Sequence, residues 1–231
     1  MTLPKIEHPS FFVDLPSNKK KVELRPMTIK EEKILLVAKE DDDSDAVLRA
    51  IVKVLQSCVV KETKIDDLPM FDIEWLFLKL RAQSVSNVVD LVVTESEDVK
   101  HDIEIKLDQV KMKYPKDVKD NIAVSADIAV KLKHPPVSLY LSEEYTKLED
   151  GDARLSLMLV ESIDAISGVD MSQIKKDELS AWVNDIPATA FEKINKFLTD
   201  TPRMELIKKY KDSKGEEQQL VLGSLTDFFT L

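Results

Sequence analysis

Adjacent acidic side chains are the first residues in this chain whose type and spacing suggest chemistry. Glu31 is followed by Glu32, and Glu143 by Glu144; two carboxylates can share the acid and base roles of a glycosidase. However, neighbours on a helix point about 100° apart, and both pairs lie where a helix is expected to begin. Acidic residues there stabilise the helix dipole. The pairs are therefore interpreted as structural, and no catalytic residue is predicted.

Histidine and cysteine offer no metal site at a recognisable spacing. His8, His101 and His134 are far apart, none lies in a predicted helix with a second ligand one turn away, and Asp102 beside His101 points to the opposite face of a strand. Cys58, the single cysteine, lies in an apolar helical stretch and is interpreted as a buried core residue. We expect no bound metal and no intrachain disulfide, which suits a reducing compartment.

Phosphate-binding loops are missing from the sequence as well. Its four glycines are scattered, whereas a nucleotide-binding loop clusters glycines so that backbone N–H groups approach the phosphates. The acidic run 41–45 lacks the glycine and distal glutamate of a calcium loop and is interpreted as a solvated linker. We expect no cofactor and no small-molecule substrate. The alternative left open is a small hydrolase without a recognisable motif, using scattered Asp and Glu residues.

The charge balance limits the kinds of partner that the protein is expected to bind. With 43 acidic and 33 basic residues, the formal net charge is −10, which disfavours binding to nucleic acid and to anionic membranes. No apolar run approaches the roughly 20 residues of a membrane span, and residues 1–10 lack the pattern of a signal peptide. These features predict a soluble, cytoplasmic, non-enzymatic protein that binds other proteins.

Two short segments are candidates for contacts with those partners. The first is basic and lies on a predicted hairpin, where it either forms a solvated edge that discourages sheet-to-sheet aggregation or contacts an acidic partner. The second is apolar and either folds onto the core or anchors another chain. The candidate residues are Lys19, Lys20, Lys21, Arg25, Leu225, Phe228 and Phe229.

Helices and strands must position these segments, and the apolar periodicities predict both. A spacing of 3.6 residues predicts helices at about 28–39, 44–58, 71–81, 153–166, 177–183 and 187–198. Alternation predicts strands at about 11–15, 22–24, 89–93, 103–107, 122–132, 204–210 and 218–222. Residues 122–132 alternate without a miss and are interpreted as one strand, straight or bent midway. The first helix begins at a capping box formed by Thr28 and Glu31.

Residue types add detail at three of the helices. Gly168 is expected to end the helix that begins near residue 153, and Asp177 is expected to cap the short helix that follows. The helix over 71–81 is apolar on nearly every face, which places Trp75 and Phe77 in the principal core.

The order of the elements predicts the fold class. It is α+β, with a central antiparallel sheet, an N-terminal hairpin with helices, a C-terminal helical block and a terminal β-hairpin. We expect residues 1–231 to form one unit, with a subdivision into 1–87, 88–136 and 137–231.

A set of short motifs also follows a recognisable order along the chain. It comprises Leu3-Pro4-Lys5, Arg25-Pro26, Lys30-Glu31-Glu32-Lys33-Ile34-Leu35-Leu36, Leu68-Pro69, Phe71-Asp72-Ile73-Glu74, Phe77-Leu78-Lys79-Leu80-Arg81-Ala82, Ser84-Val85, Ile128-Ala129-Val130-Lys131-Leu132-Lys133-His134-Pro135 and Asp227-Phe228-Phe229. Taken together, the motifs resemble those of the baseplate hub proteins of T-even-like bacteriophages over nearly the whole chain.

The resemblance implies a tail protein without enzymatic activity that binds other baseplate or tail hub proteins, either as a hub subunit or as a hub assembly chaperone. It implies a place in the host cell cytoplasm during assembly, and in the virion tail baseplate if the protein stays. Some relatives are expected to carry Cys-x-x-Cys turns near 95–99 and 211–214. This chain has no cysteine there, so its two hairpins are expected to hold by side-chain packing alone.

Overall fold

A computed structural model of the chain describes residues 3, 4, 6–40, 44–96, 99–224 and 227. The helices are α1 (Ile29–Glu40), α2 (Ser44–Cys58), α3 (Met70–Ser84), α4 (Val137–Leu141), α5 (Glu143–Thr146), α6 (Gly151–Ser162), α7 (Lys176–Asn184) and α8 (Ala188–Thr199). The strands are β1 (Phe11–Asp14), β2 (Lys21–Leu24), β3 (Val88–Thr94), β4 (Lys100–Lys106), β5 (Lys111–Lys113), β6 (Asn121–Ala123), β7 (Ala129–Leu132), β8 (Ile163–Ile166), β9 (Arg203–Lys211) and β10 (Glu217–Leu222). The chain thus combines helices with small antiparallel sheets, and the predicted α+β class is confirmed.

Backbone contacts divide the chain into two compact units. Unit 1 takes the residues up to 65, residues 71–113 and those from 202 onward; unit 2 takes 66–70 and 114–201. Unit 1 is therefore built from three separate stretches, and most of unit 2 lies between two of them in sequence. The single unit with a three-part subdivision stays a prediction.

The N-terminal hairpin is fixed to α3 by a buried carboxylate. β1 and β2 pair antiparallel, with Val13 opposite Val22. In the turn between them, Ser17 donates its N–H and its Oγ–H to Asp72 on α3, at 2.9 and 2.5 Å. Asp72 is fully buried, and its burial raises the pKa of the carboxyl group while Ser17 opposes that shift. The turn is thus held by α3 as well as by its own residues.

Helix α3 carries much of the core of unit 1. Phe77 is 1% exposed, and apolar neighbours on every side of the helix are equally buried. The prediction for Phe77 is confirmed. Trp75 is half-buried instead, with Lys79 Nζ 4.2 Å from the centre of its ring. Cys58 at the end of α2 is fully buried, as expected, and burial raises the pKa of its thiol to about 11.

The two predicted long hairpins are confirmed, but the prediction of one central antiparallel sheet is wrong. β3 pairs with β4, and β9 with β10. The apolar faces of both hairpins share one core cluster. The strands between residues 88 and 136 belong to three different sheets, ordered β3-β4, β10-β9-β5 and β6-β7-β8. β5 joins β9 across a long sequence separation, which local periodicity cannot indicate.

A polar link joins the tips of these hairpins. Glu95, after β3, accepts hydrogen bonds from the N–H and Oγ–H of Ser213, in the β9–β10 turn, at 3.0 and 2.7 Å. The same carboxylate lies 2.7 Å from His101 Nε2. Ser213 and His101 lower the pKa of Glu95. The expectation that packing alone holds the hairpins is therefore corrected, because the two turns that lack cysteine are joined by hydrogen bonds.

In unit 2, the strand predicted over 122–132 is wrong. The segment forms two antiparallel strands, β6 and β7, in which Ile122 lies opposite Val130. Between them the Ser125 hydroxyl accepts from the backbone of Ile128 at 3.2 Å, and Val124 N–H donates to Ile128 O at 2.8 Å. Ile122 and Val130 are an even number of residues apart, so the alternation continues through the turn and conceals it.

The helix predicted over 153–166 ends early. α6 stops at Ser162, and Ile163 to Ile166 pair with β7 as β8. The β-branched residues at both ends of this segment gain a sheet partner, which outweighs the helical pattern. Gly168, with φ +73°, turns the chain after β8 rather than ending a helix. The predicted cap is also corrected: α7 begins after Lys175, and Asp177 lies in its first turn.

Candidate docking groove

The start of α1 is held by a buried ion pair. Glu31 is 1% exposed and accepts from Arg25 Nη2 and Nη1 at 2.9 and 3.3 Å, and from Thr28 N–H and Oγ–H at 2.8 and 2.6 Å. Burial by itself raises the pKa of Glu31, but Arg25 and Thr28 outweigh it and lower the pKa to about 2. Arg25 also donates to Ser57 O at 2.9 Å. The first turn of α1 is therefore fixed to the end of α2.

Helix α1 has more apolar residues than its inner face can bury. Leu35 and Ala38 point inward and are buried. On the outer face Ile29, Leu36 and Val37 are 69%, 51% and 64% exposed. Their spacing of seven and eight residues puts them on one stripe of the helix. Large apolar side chains that are exposed together make this stripe a candidate surface for contact with another chain.

An apolar groove opens beside this stripe, between α1 and α3. Its apolar lining residues are Met27, Leu35, Leu36, Phe77 and Val85, and its volume is about 210 Å³. Met27 N–H donates to Ser84 Oγ at 2.8 Å, and Ser84 donates in turn to Leu80 O at 2.6 Å. These bonds fix the entry of α1 against the end of α3, so the groove is preformed.

The groove lining includes one basic and one acidic residue, and two lysines are exposed nearby on α1. Arg81 lines the groove and is buried, and its burial lowers the pKa of the guanidinium. Glu32 also lines the groove and is half-buried. Lys30 and Lys33 are exposed on the outer side of α1. The surface named here the α1 groove, comprising the lining residues with Ile29 and Val37, is thus apolar with a basic margin.

The basic residues predicted as partner contacts lie elsewhere in unit 1. Lys19, Lys20 and Lys21 are exposed at the β1–β2 turn and on β2. Arg25 is half-buried and engaged with Glu31. The structure does not bring any of them into the lining of the α1 groove.

The apolar candidates of the tail, Leu225, Phe228 and Phe229, lie outside the described residues. The exposed residues of α1 were not predicted as contacts. The sequence did carry a signal for them, because Ile34 to Ala38 are five apolar residues in a row, more than one helix face can bury.

Two further grooves lie within unit 2. One lies between the end of β8 and α7 and includes Trp182 and Glu178. The other is lined by Lys119, Lys193 and Lys196, with Asp117. Within the described ranges, no group of three His, Cys, Asp or Glu residues is placed to hold a metal ion, and no helix is both long and apolar enough to cross a bilayer.

Comparison with known protein families gives a match over nearly the whole chain. A family model described as T4 bacteriophage base plate protein matches residues 8–230. No curated protein matches the chain, and no solved structure does.

Proposed function

Because the chain belongs to the family of T4 bacteriophage base plate proteins, we propose that it promotes assembly of the baseplate hub by binding other tail proteins. The observation that carries this proposal is the α1 groove. Its exposed residues Ile29, Leu36 and Val37 adjoin a preformed apolar floor, and a groove of this kind accepts an apolar segment of another chain.

The proposed occupant is an apolar segment flanked by acidic residues in another baseplate protein. The charge around the groove supports this choice, since the basic residues Lys30, Lys33 and Arg81 outnumber the acidic residues Glu32 and Glu40. Opposite charges at the margin speed the encounter and select the partner, while the apolar contacts supply most of the affinity.

Two modes of action fit this groove. As an assembly chaperone, the protein would cover an apolar segment of a hub protein in the host cytoplasm until the final partner displaces it. As a hub subunit, it would keep that contact in the finished tail. Mass spectrometry of purified virions separates the two modes: a stoichiometric amount of the chain identifies a subunit, and its absence identifies a chaperone.

We propose that the protein acts without catalysis. A hydrolase with two acidic residues needs them convergent in one pocket. Each of the three grooves described above has a single carboxylate in its lining: Glu32, Glu178 or Asp117. This distribution supports a binding role over the alternative of a hydrolase with scattered acidic residues.

The test replaces two exposed residues of α1. Leu36→Asp/Val37→Asp puts charge on the apolar stripe without touching the buried face, so the melting temperature should stay close to that of the wild type. Each variant is then expressed from a plasmid in host cells infected with a phage that lacks this gene, and the growth of the phage is measured. We expect the double variant to fail. The control is Val60→Asp, at a residue of unit 1 that is 51% exposed and lies outside the groove lining, and it should restore growth.

Two outcomes would contradict the proposal in different ways. If the double variant restores growth as well as the wild type, the α1 groove is not the contact. If the phage without the gene assembles normal baseplates, the chain has no part in hub assembly.

A further inference from the structure

The groove that includes Trp182 in unit 2 differs in chemistry from the α1 groove. Its apolar lining consists of Ile128, Ile166, Val169, Ile174, Leu179 and Trp182, and its volume is about 340 Å³. Ile166 and Leu179 form a buried floor, whereas Ile128 and Val169 at the mouth are 37% and 40% exposed. Trp182 and Ile174 pack against the core of unit 2 and leave part of their surface open. We call this surface the Trp182 groove.

Hydrogen bonds hold the mouth of the Trp182 groove open. The Ser167 hydroxyl accepts from Ala129 N–H at 2.9 Å, and Ser167 N–H donates to Ala129 O at 2.9 Å. Gly168 then turns the chain in the left-handed region, at φ +73°, where side chains are strained. Because Ile128 and Val169 sit on either side of these bonded residues, the groove does not need to reorganise before it binds.

The margin of the Trp182 groove is acidic. Glu178 lines it, and Asp127 and Asp170 directly flank the two exposed residues at its mouth. Asp177, on the same helix as Glu178, adds negative charge, and Lys175, just before that helix, opposes it. The nearby lysines are otherwise engaged: Lys176 pairs with Glu144 and Glu161 at 2.7 and 3.1 Å, and Lys131 with Asp164 at 3.6 Å.

We propose that the Trp182 groove is a second docking site, for a basic amphipathic segment of a partner protein. Such a segment would place one aliphatic or aromatic side chain in the groove and Lys or Arg residues beside Asp127, Asp170 and Glu178. Nucleic acids and anionic membranes are excluded as occupants by the same charges, which repel phosphates. The two grooves therefore select segments of opposite charge, so one chain can hold two different partners.

The experiment selects peptides without assuming a partner. The full-length protein is presented with a library of random peptides about a dozen residues long. We expect the enriched peptides to combine an apolar anchor with flanking Lys or Arg. A fluorescent copy of the best peptide is then titrated with variants of the protein and followed by anisotropy.

Matched variants locate the binding site. Ile128→Gln, which makes the mouth polar, should weaken binding at least about tenfold, or about 1.4 kcal/mol. Glu178→Lys should weaken it severalfold and reduce its dependence on salt, since a charge contact is lost. The controls are Val60→Gln, an exposed apolar residue of unit 1, and Glu149→Lys, an exposed acidic residue outside the groove lining. Both should bind like the wild type.

Three results would overturn this inference. They are enriched peptides without an excess of basic residues, a best peptide that binds Ile128→Gln as tightly as the wild type, and a library that yields no enriched peptide. The inference does not rest on the proposed function, because peptide binding to unit 2 is measured without phage. A loss of growth in the α1 variant and a loss of peptide binding in Ile128→Gln are separate readouts.

Discussion

The ion pair at the start of α1 gives a prediction whose size follows from the structure. Glu31 is 1% exposed, and Arg25 and Thr28 hold its pKa at about 2 instead of 4.5. Each pKa unit corresponds to about 1.36 kcal/mol, so ionised Glu31 stabilises the fold by about 3 kcal/mol. Glu31→Gln keeps the size of the side chain and removes the charge. We expect it to lower the free energy of unfolding by about 2–3 kcal/mol at pH 7.

The pH dependence provides the sharper part of the test. The folded pKa of Glu31 is depressed, so its stabilisation is fully present above pH 4.5 and is lost as the pH falls towards about 2. The difference in the free energy of unfolding between the wild type and Glu31→Gln should therefore be about 2 kcal/mol smaller at pH 3 than at pH 7. Urea unfolding followed by Trp75 fluorescence, in a Trp182→Phe background, measures it in unit 1.

A control on the same helix isolates the buried site. Glu40 is exposed on α1, and Glu40→Gln should change the free energy of unfolding by less than about 0.5 kcal/mol. The reasoning is refuted if Glu31→Gln costs less than about 1 kcal/mol at pH 7, or if its cost is the same at pH 7 and pH 3. Either result would mean that solvent, rather than Arg25, stabilises the carboxylate.

Three further predictions concern one buried and two half-buried side chains. Phe77→Ala should lower the free energy of unfolding in urea by about 3–5 kcal/mol; a much smaller loss would place α3 at the surface. His134 stacks on Phe197 with ring centres 4.2 Å apart, and burial lowers its pKa to about 4, so stability should fall as pH drops from 6.5 towards 4. The melting temperature of His134→Phe should fall less than that of the wild type over the same pH range, and an equal fall would contradict this reasoning. Burial raises the pKa of Glu74 to about 7, so stability should fall as pH rises from 4.5 through 7. Glu74→Gln should then be more stable than the wild type at pH 8, and a lower melting temperature there would contradict the reasoning.

Local signals predicted the elements that depend on local contacts. The Thr28 and Glu31 pair marks the start of α1 because the side chain and backbone that interact are three residues apart. Alternation located both long hairpins for the same reason. Alternation failed at residues 122–132, where a turn stabilised by the Ser125 hydroxyl preserves the period. The helical spacing failed at 163–166, where pairing with the distant strand β7 overrides it.

The candidate site was harder to predict from the sequence than the helices and strands that form it. Leu36 and Val37 belong to an apolar run, but only the packing of α1 shows which members of the run are buried and which are exposed. Val85 enters the α1 groove from the end of another helix. The pairing of β5 with β9 and the discontinuous make-up of unit 1 likewise arise from contacts between distant residues, which no periodicity within one segment records.

The discontinuity of unit 1 has a consequence for synthesis on the ribosome. Residues 114–201 emerge before β9 and β10, so unit 2 can fold on the nascent chain while unit 1 still lacks two strands. At a synthesis rate of about 5–20 residues per second, this interval lasts on the order of 10 s. Throughout it, the apolar face of the β3–β4 hairpin has no cover from Met204, Leu206 and Leu222. Translation speed across residues 114–201 should therefore influence how much of the protein aggregates before it is complete.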